Sequence, residues 1–373
     1  MKRTLLRRAA LPAASVAALA LALSACGSDN NSDSSATPAA SATGSIAGVS
    51  CATGSINASG SSAQNNAMTK WISNYQQACS GSTIEYAPTG SGAGITDFIN
   101  NQVAFAGSDA PIADDDLTNA NKRCTNGQAI NIPMVGGPVA VAYNVAGVDN
   151  LVLTPQVIAQ IFSNQITKWN DPAITKLNPN AKLPDATIAQ FHRADSSGTS
   201  ANFGAYLSAA AASDWTYGSD KDWTAPGGQG STGSDGVASS VKSTDNSIGY
   251  MELSYATNSG LNTAEIDNGG GPVKLTTDSA SKAISAAKVV GTSPDLTLSI
   301  DYKTKNPGAY PLVLVTYEIV CSAGNDSSTL PLTKSFLSYT ASDQGQAELP
   351  ALGYAPLPAK LLSQVQQTVA SIS

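Results

Sequence analysis

Ser55-Ile56-Asn57-Ala58, an amphipathic stretch through Met68, Trp71, Ile72 and Tyr75, Thr83-Ile84-Glu85-Tyr86, a glycine-rich turn, Ile95-Thr96-Asp97-Phe98-Ile99 and Val103-Ala104-Phe105-Ala106 follow one another along residues 55–106. Short apolar runs alternate with runs of helical period. Strand, helix, strand, helix, strand predicts an α/β fold whose mainly parallel sheet is flanked by helices, with functional loops at the carboxyl ends of its strands.

Outward from this stretch, two longer apolar runs stand apart, Ile130 to Tyr143 and Tyr310 to Val320. Read as crossovers between two lobes, one runs out and the other back, so they lie antiparallel. A chain that leaves near Pro133 and returns near Pro311 has a discontinuous first lobe, residues 49–134 plus 314–373, and a continuous second one, residues 135–313. Helical periodicity at Leu332 to Tyr339 and Leu361 to Val369 completes the first lobe. The length, 373 residues, suits two domains better than one core.

The chain begins as an export signal does. Lys2, Arg3, Arg7 and Arg8 precede an apolar run from Ala9 to about Leu23, followed by Leu23-Ser24-Ala25-Cys26. The last four residues resemble the bacterial lipobox, in which the thiol is acylated and becomes the new N-terminus. The expectation is a leader over 1–26, a lipid on Cys26 holding the protein to the membrane, and a Ser/Ala-rich tether over 27–48. Loss of the four leader cations takes the formal charge from −7 to −11. An acidic chain with no basic run is a poor nucleic-acid binder. A single histidine, His192, excludes multi-histidine metal sites, and no cysteine spacing fits a zinc ribbon or a redox pair, so no metal or cofactor is expected. Without Cys26, four cysteines remain, which in an exported chain suggests two disulfides with three possible connectivities. Cys51 precedes the first strand and Cys79 ends the helix that returns antiparallel to it; Cys124 precedes the outbound crossover and Cys321 closes the return. The pairs favoured are Cys51–Cys79 and Cys124–Cys321.

Three loops share one pattern, a strand signal, then small hydroxyl or glycine residues, then a helix signal. They are Gly60-Ser61-Ser62-Ala63, Thr89-Gly90-Ser91-Gly92-Ala93-Gly94 and Ala194-Asp195-Ser196-Ser197-Gly198-Thr199-Ser200. Free backbone N–H groups at a helix start, the positive end of the dipole and Ser/Thr hydroxyls together bind anions. Each loop alone is equally well a helix cap; three of them beside Arg193 favour an oxyanion site, with Asp195 placed to hold the guanidinium. Asp109, at the end of a strand, reads two ways: it accepts a hydrogen bond from an oxyanion that still carries a proton, or it caps the turn before Pro111. His192 has no G-x-S-x-G elbow or identifiable partner and reads as a neighbour filling space beside Arg193.

The second and third of these loops, with Phe105-Ala106-Gly107-Ser108-Asp109-Ala110-Pro111, Ile166-Thr167-Lys168-Trp169-Asn170-Asp171-Pro172 running on through Leu177-Asn178-Pro179 to Arg193, Gly233-Ser234-Asp235-Gly236-Val237 and Ile248-Gly249-Tyr250-Met251-Glu252, resemble the phosphate-binding proteins of bacterial high-affinity phosphate ABC transporters over about residues 52–320. The resemblance implies a two-lobed periplasmic-binding-protein fold of type II, joined by two hinge crossovers, that closes on one phosphate. It implies Ser62, the N–H of Ala63, Ser91 and Asp109 from lobe one, and Arg193, Ser197, Gly198 and Thr199 from lobe two, with Asp195 in support. Two departures stand out: Ser62-Ala63 where the family commonly has Thr-Phe, and His192 where some members carry a second arginine.

The function expected is a monomeric, lipid-anchored receptor on the extracytoplasmic face of the bacterial membrane that passes inorganic phosphate to permease subunits and is not an enzyme. Phosphate near neutral pH keeps a proton through which it donates a hydrogen bond to Asp109; sulfate has none to give, while arsenate matches phosphate and is incompletely rejected. The alternatives are a receptor for sulfate, molybdate or another oxyanion, and a phosphoester hydrolase with Ser62 or Ser197 as nucleophile.

Overall fold

The computed structural model describes residues 46 and 48–373. The expected leader, the lipobox Cys26 and nearly all of the tether lie outside the described residues. Among the described residues no helix is long and apolar enough to cross a membrane.

The opening stretch folds in the order expected, as β1 (Gly54–Gly60), α1 (Asn65–Ala78), β2 (Ser82–Ala87), α2 (Ser91–Ile99) and β3 (Phe105–Ser108). β1 pairs in parallel with both β2 and β3. After α3 (Asp114–Arg123) comes one long strand, β4 (Ala129–Asn144), nearly all of it buried. Four more strands matter to the site: β5 (Ala189–Arg193), β6 (Gln229–Ser231), β7 (Ser247–Glu252) and, last in the chain, β9 (Val313–Cys321). With the short β8 (Asn262–Thr263) beside β4, these nine strands form one sheet ordered β2-β1-β3-β9-β4-β7-β5-β6.

The two apolar runs are β4 and the segment ending in β9, and they pair antiparallel as expected. β4 gives its first part, Ala129 to Pro138, to β9 and its last part, Val139 to Asn144, to β7. The change of partner falls at Gly136-Gly137-Pro138. A Cβ on Gly136 would lie 2.7 Å from the Ala355 carbonyl oxygen, so glycine there lets the segment at Ala355 bridge to β4, and one on Gly137 would lie 2.4 Å from a Leu314 methyl of β9. On either side of this junction the outer strands are parallel, β1 with β2 and β3, β5 with β6 and β7.

Both disulfides form as expected, Cys51–Cys79 and Cys124–Cys321, each with Cα atoms 5.2 Å apart. The periodic tail folds as α6 (Leu330–Thr340) and α7 (Ala359–Ser371), with α4 (Gly198–Ala210) and α5 (Gly233–Ser243) lying earlier in the chain. Trp71 and Tyr75 of α1 are fully buried, Tyr75 edge-on to Phe336 of α6 at 5.5 Å, and the Trp71 indole donates to Gly345 O at 2.8 Å. A second aromatic cluster, with Phe203 of α4 stacked on Tyr250 of β7 at 4.3 Å, braces α4 against β5 and β7. Each such ring buries 150–250 Å², so these clusters fix the helices whose starts carry the polar loops.

Candidate functional site

Four helix starts meet where the strands end. α1 begins just past β1; α2 starts at Ser91 itself, earlier than the apolar run Ile95 to Ile99 suggested; α4 starts at Gly198, inside the third loop; and α5 starts at Gly233. The earlier starts place Ser91, Gly198 and Thr199 in first helical turns, where backbone N–H groups have no intrahelical acceptor. Ser197 caps α4, its Oγ accepting from Ser200 N at 3.3 Å. Arg193 is the last residue of β5. Close backbone approach is built in: a Cβ on Gly94 would lie 2.4 Å from Gly60 Cα, and one on Gly198 would lie 2.6 Å from both Asp109 Cβ and Ser91 Oγ.

Ser62, Ala63, Ser91, Asp109, Arg193, Ser197 and Thr199 are all buried, and with Gly198 they come to one place. Arg193 is 2% exposed. Its Nε donates to Asp195 Oδ1 at 2.7 Å and its Nη2 to Asp195 Oδ2, a two-pronged grip that fixes the guanidinium plane. The Gly233 N–H donates to the same carboxylate at 3.0 Å. Nη1 is left to point at Ser234 Oγ, 3.2 Å away, and Thr199 Oγ1, 3.5 Å away. Burial opposes the charge on Arg193, but the Asp195 hydrogen bonds and charge outweigh it and hold the guanidinium above its ordinary pKa. For Asp195 burial likewise works against ionisation, and Arg193 overcomes it, keeping the carboxylate below its usual range.

Asp109 lies opposite. Its Oδ1 accepts from Ser61 Oγ at 2.5 Å and from Thr316 Oγ1 at 2.8 Å, and its Oδ2 accepts from Ser91 Oγ at 3.3 Å. Burial, then the charge of Glu252, push its carboxyl up to about 6, against the Ser61 and Thr316 hydroxyls and Arg193, which favour the ionised form. At neutral pH it is therefore mostly a carboxylate, and an acceptor. The turn-capping alternative does not describe its side chain, whose oxygens take hydroxyl donors from three other segments.

The two walls touch directly. Ser62 Oγ lies 3.1 Å from Ser234 Oγ and accepts from Ser234 N at 3.1 Å. Gly92 N donates to Ser196 O at 3.0 Å, and Asn202 Nδ2 donates to Asp109 O at 2.7 Å. Tyr255 OH donates to Ser62 O at 2.7 Å. An arginine held by a carboxylate, faced by hydroxyls and helix N-termini and by one carboxylate of raised pKa, has the donors and the acceptor that suit a tetrahedral oxyanion still carrying a proton.

His192 turns away, stacked on Trp223 with ring centroids 4.9 Å apart and Nδ1 2.9 Å from Arg193 O. Burial lowers its pKa, partly offset by that carbonyl. Its hydrogen-bond partner is not Ser62 or Ser197, the two nucleophiles of the hydrolase alternative. Sequence reasoning passed over Ser61, Ser234, Glu252 and Thr316. Ser234 opens α5 in the same small-residue, helix-start pattern as the other loops. Glu252 is fully buried at the end of β7, with its Oε1 accepting from Thr199 Oγ1 at 2.7 Å. Thr316 is a polar residue inside an otherwise apolar run, which is the signal that marks it. Among the described residues no group of three or more His, Cys, Asp or Glu is placed to hold a metal ion.

Residues 36–344 match the family model described as the PBP superfamily domain. The chain is 42% identical over 364 residues to phosphate-binding protein PstS 3 of Mycobacterium tuberculosis, covering 96% of this chain and 97% of that one. The chain belongs to the phosphate-binding proteins of bacterial phosphate ABC transporters. Phosphate-binding protein PstS of Xylella fastidiosa is 33% identical over 311 residues, 82% of each chain. Among solved structures, a high-affinity periplasmic phosphate-binding protein bound with phosphate matches with a TM-score of 0.68 at 21% identity, covering 84% of this chain and 93% of that one. The phosphate-binding protein from Stenotrophomonas maltophilia matches with a TM-score of 0.63 at 18% identity, over 84% and 93%. The fold is thus the two-lobed one of this family, a family of binding proteins for transport and not of enzymes.

Proposed function

We propose that this protein captures inorganic phosphate between two lobes, residues 49–134 plus 314–373 and residues 135–313, and passes it to the permease subunits of an ABC transporter. The observation that carries this reading is the pairing of Arg193, clamped by Asp195, with Asp109, a buried carboxylate that accepts from Ser61, Thr316 and Ser91. Arg193, the hydroxyls of Ser62 and Ser197 and the N–H of Gly198 supply donors, and on binding the hydroxyls of Ser91 and Thr199 and the N–H of Ala63 turn to the anion from Asp109, Glu252 and Ser61 Oγ, to which they donate in the structure. Asp109 accepts the hydrogen that phosphate retains. Sulfate brings no hydrogen and meets a buried carboxylate, and the absence of a required hydrogen bond at such a site discriminates by about 10⁴–10⁵. Arsenate shares the protons and shape of phosphate and is incompletely rejected. Contacts such as Ser62–Ser234 and Gly92–Ser196, which join the two lobes, describe the closed arrangement, and hinge motion about β4 and β9 opens it.

Its place is the extracytoplasmic face of the membrane, held as a monomer by a lipid on Cys26 through the 27–48 tether. Metabolic labelling with a fatty acid marks the wild type and not Cys26→Ala. Neither a cofactor nor catalysis enters this reading. Calorimetric titration of the ligand-free protein with phosphate, then with sulfate, tests it. One-to-one phosphate binding without sulfate heat is expected; tighter binding of sulfate or molybdate overturns it.

A further inference from the structure

Behind Asp109, away from Arg193, lies a second acid. Glu318 of β9 is fully buried, and neither of its carboxylate oxygens makes a well-formed hydrogen bond, although the Gln64 amide acts on it as a donor. Its position follows from the register of β9 on β3, in which Glu318 pairs with Gly107 and Tyr317 with Ser108. One step further, Thr316 comes beside Asp109 and donates to its Oδ1 at 2.8 Å. Thr316 and Glu318 therefore share one face of the strand, about 7 Å apart at 3.4 Å per residue. Gly107 has no side chain to separate them from the neighbouring elements. A Cβ there would lie 2.2 Å from Gln64 Nε2 and 2.5 Å from Tyr86 OH, so those two groups occupy the space. Gln64 Nε2 donates to Tyr86 OH at 3.1 Å, Tyr86 OH donates to Ser61 O at 2.8 Å, and Ser61 Oγ donates to Asp109. A buried polar chain thus connects the surroundings of Glu318 to the loop that holds the anion-facing carboxylate.

We propose that Glu318 is a positioning residue for phosphate capture that acts through Asp109: held as a neutral acid, it leaves Asp109 the charged member of the pair and able to accept the ligand's hydrogen, and once ionised it drives the anion out. The proposal rests on the phosphate reading above. The groups acting on Glu318 are few. Burial pushes its carboxyl up to about 8, the charge of Asp109 at the end of β3 adds to this, and the Gln64 amide at the start of α1 opposes it. Tyr86 of β2 faces it as well, its own hydroxyl raised by burial and then by the charge of Glu318. Arg193 acts on Asp109 from the other wall, while Glu252 opposes it there. A bound phosphate adds negative charge beside Asp109 and makes ionising Glu318 harder still. By linkage, ionising Glu318 weakens phosphate by the same factor. One proton gives at most a tenfold loss of affinity per pH unit, beginning where the free protein's Glu318 titrates, near pH 8.

The test is the phosphate Kd of wild type and Glu318→Gln from about pH 6.5 to about pH 9.5. Glutamine keeps the shape of the neutral acid, so the two proteins are expected to bind alike at about pH 6.5. Above pH 8 the wild type weakens relative to the variant, by at most about tenfold per unit, and the comparison cancels the ionisation of phosphate itself. Parallel profiles in two proteins that both bind phosphate overturn this proposal alone. No phosphate binding by the wild type at about pH 6.5 overturns the phosphate reading and this proposal with it. If the variant does not fold, infrared spectroscopy of the wild type decides: a protonated-carboxyl band that disappears between about pH 7 and 9, and persists to higher pH with phosphate bound, supports the proposal. A band insensitive to phosphate refutes it.

Discussion

Replacing Asp109 with Asn tests the reading of the site most directly, because it removes one charge and adds one donor with almost no change of shape. The carboxylate Oδ1 accepts from Ser61 and Thr316, and Oδ2 accepts from Ser91. Asparagine has one acceptor oxygen, which stays with Ser61 and Thr316, so its NH₂ turns towards Ser91 and the ligand. Phosphate then loses a hydrogen bond to a charged acceptor, worth about 1.5–3 kcal/mol. At 1.4 kcal/mol per factor of ten this is a loss of roughly 10- to 150-fold. Sulfate moves the other way, since the unpaired buried charge it met in the wild type, a penalty of about 1–3 kcal/mol, is replaced by a donor. The phosphate-to-sulfate ratio therefore falls by about 10²–10⁴, shared between weaker phosphate binding and new sulfate binding. Calorimetric titration of both anions into both proteins at neutral pH measures it. Because burial and Glu252 raise the Asp109 carboxyl to about 6, wild-type sulfate binding also strengthens as pH falls through 6, while the variant's stays flat. Equal changes for the two anions, or a wild type without pH dependence, refute the role given to this carboxylate.

Three other substitutions separate the parts of the site. Arg193→Lys keeps the charge but loses the two-pronged grip of Asp195, and it should weaken phosphate and sulfate together by about 1.5–3 kcal/mol, in contrast to the split that Asp109→Asn produces. Gly198→Ala puts a methyl 2.6 Å from Asp109 Cβ and Ser91 Oγ and holds the walls apart, so titration should show phosphate affinity falling about 5- to 150-fold while ligand-free thermal stability stays unchanged; a fall in both would place the strain within one lobe. Glu318→Gln changes stability with a definite sign. The folded wild type holds this proton up to about pH 8 and the unfolded chain releases it near 4.5, so between those values folding takes up a proton and stability declines as pH rises. The variant escapes that decline, and its Tm advantage over the wild type should widen from about pH 5 to about pH 8; a constant difference would contradict the burial argument.

The local order of the fold and most residues of the candidate site were legible along the chain. Alternation of period two and 3.6 over residues 55–106 identified β1, α1, β2, α2 and β3, because each element has to bury one face and the spacing of apolar residues records which. The two apolar runs identified β4 and β9 and their antiparallel relation, and the cysteines flanking them found their partners. The anion loops were recognisable because a helix start needs donors and small residues there whatever the fold.

What the chain order could not supply was the company each side chain keeps. Ser61 and Ser62 are neighbours in sequence, yet one donates to Asp109 and the other meets Ser234, 172 residues away. Thr316 and Glu318 look like interruptions of an apolar strand until the register of β9 on β3 brings one beside Asp109 and the other opposite Gly107. The sequence by itself determined which residues could bind an anion, since donors, glycine turns and an arginine are local chemistry. Tertiary structure alone decided which acids crowd one another, because burial and charge–charge distance, the quantities that move a carboxyl to about 6 at Asp109 and to about 8 at Glu318, exist only once strands remote in sequence lie side by side.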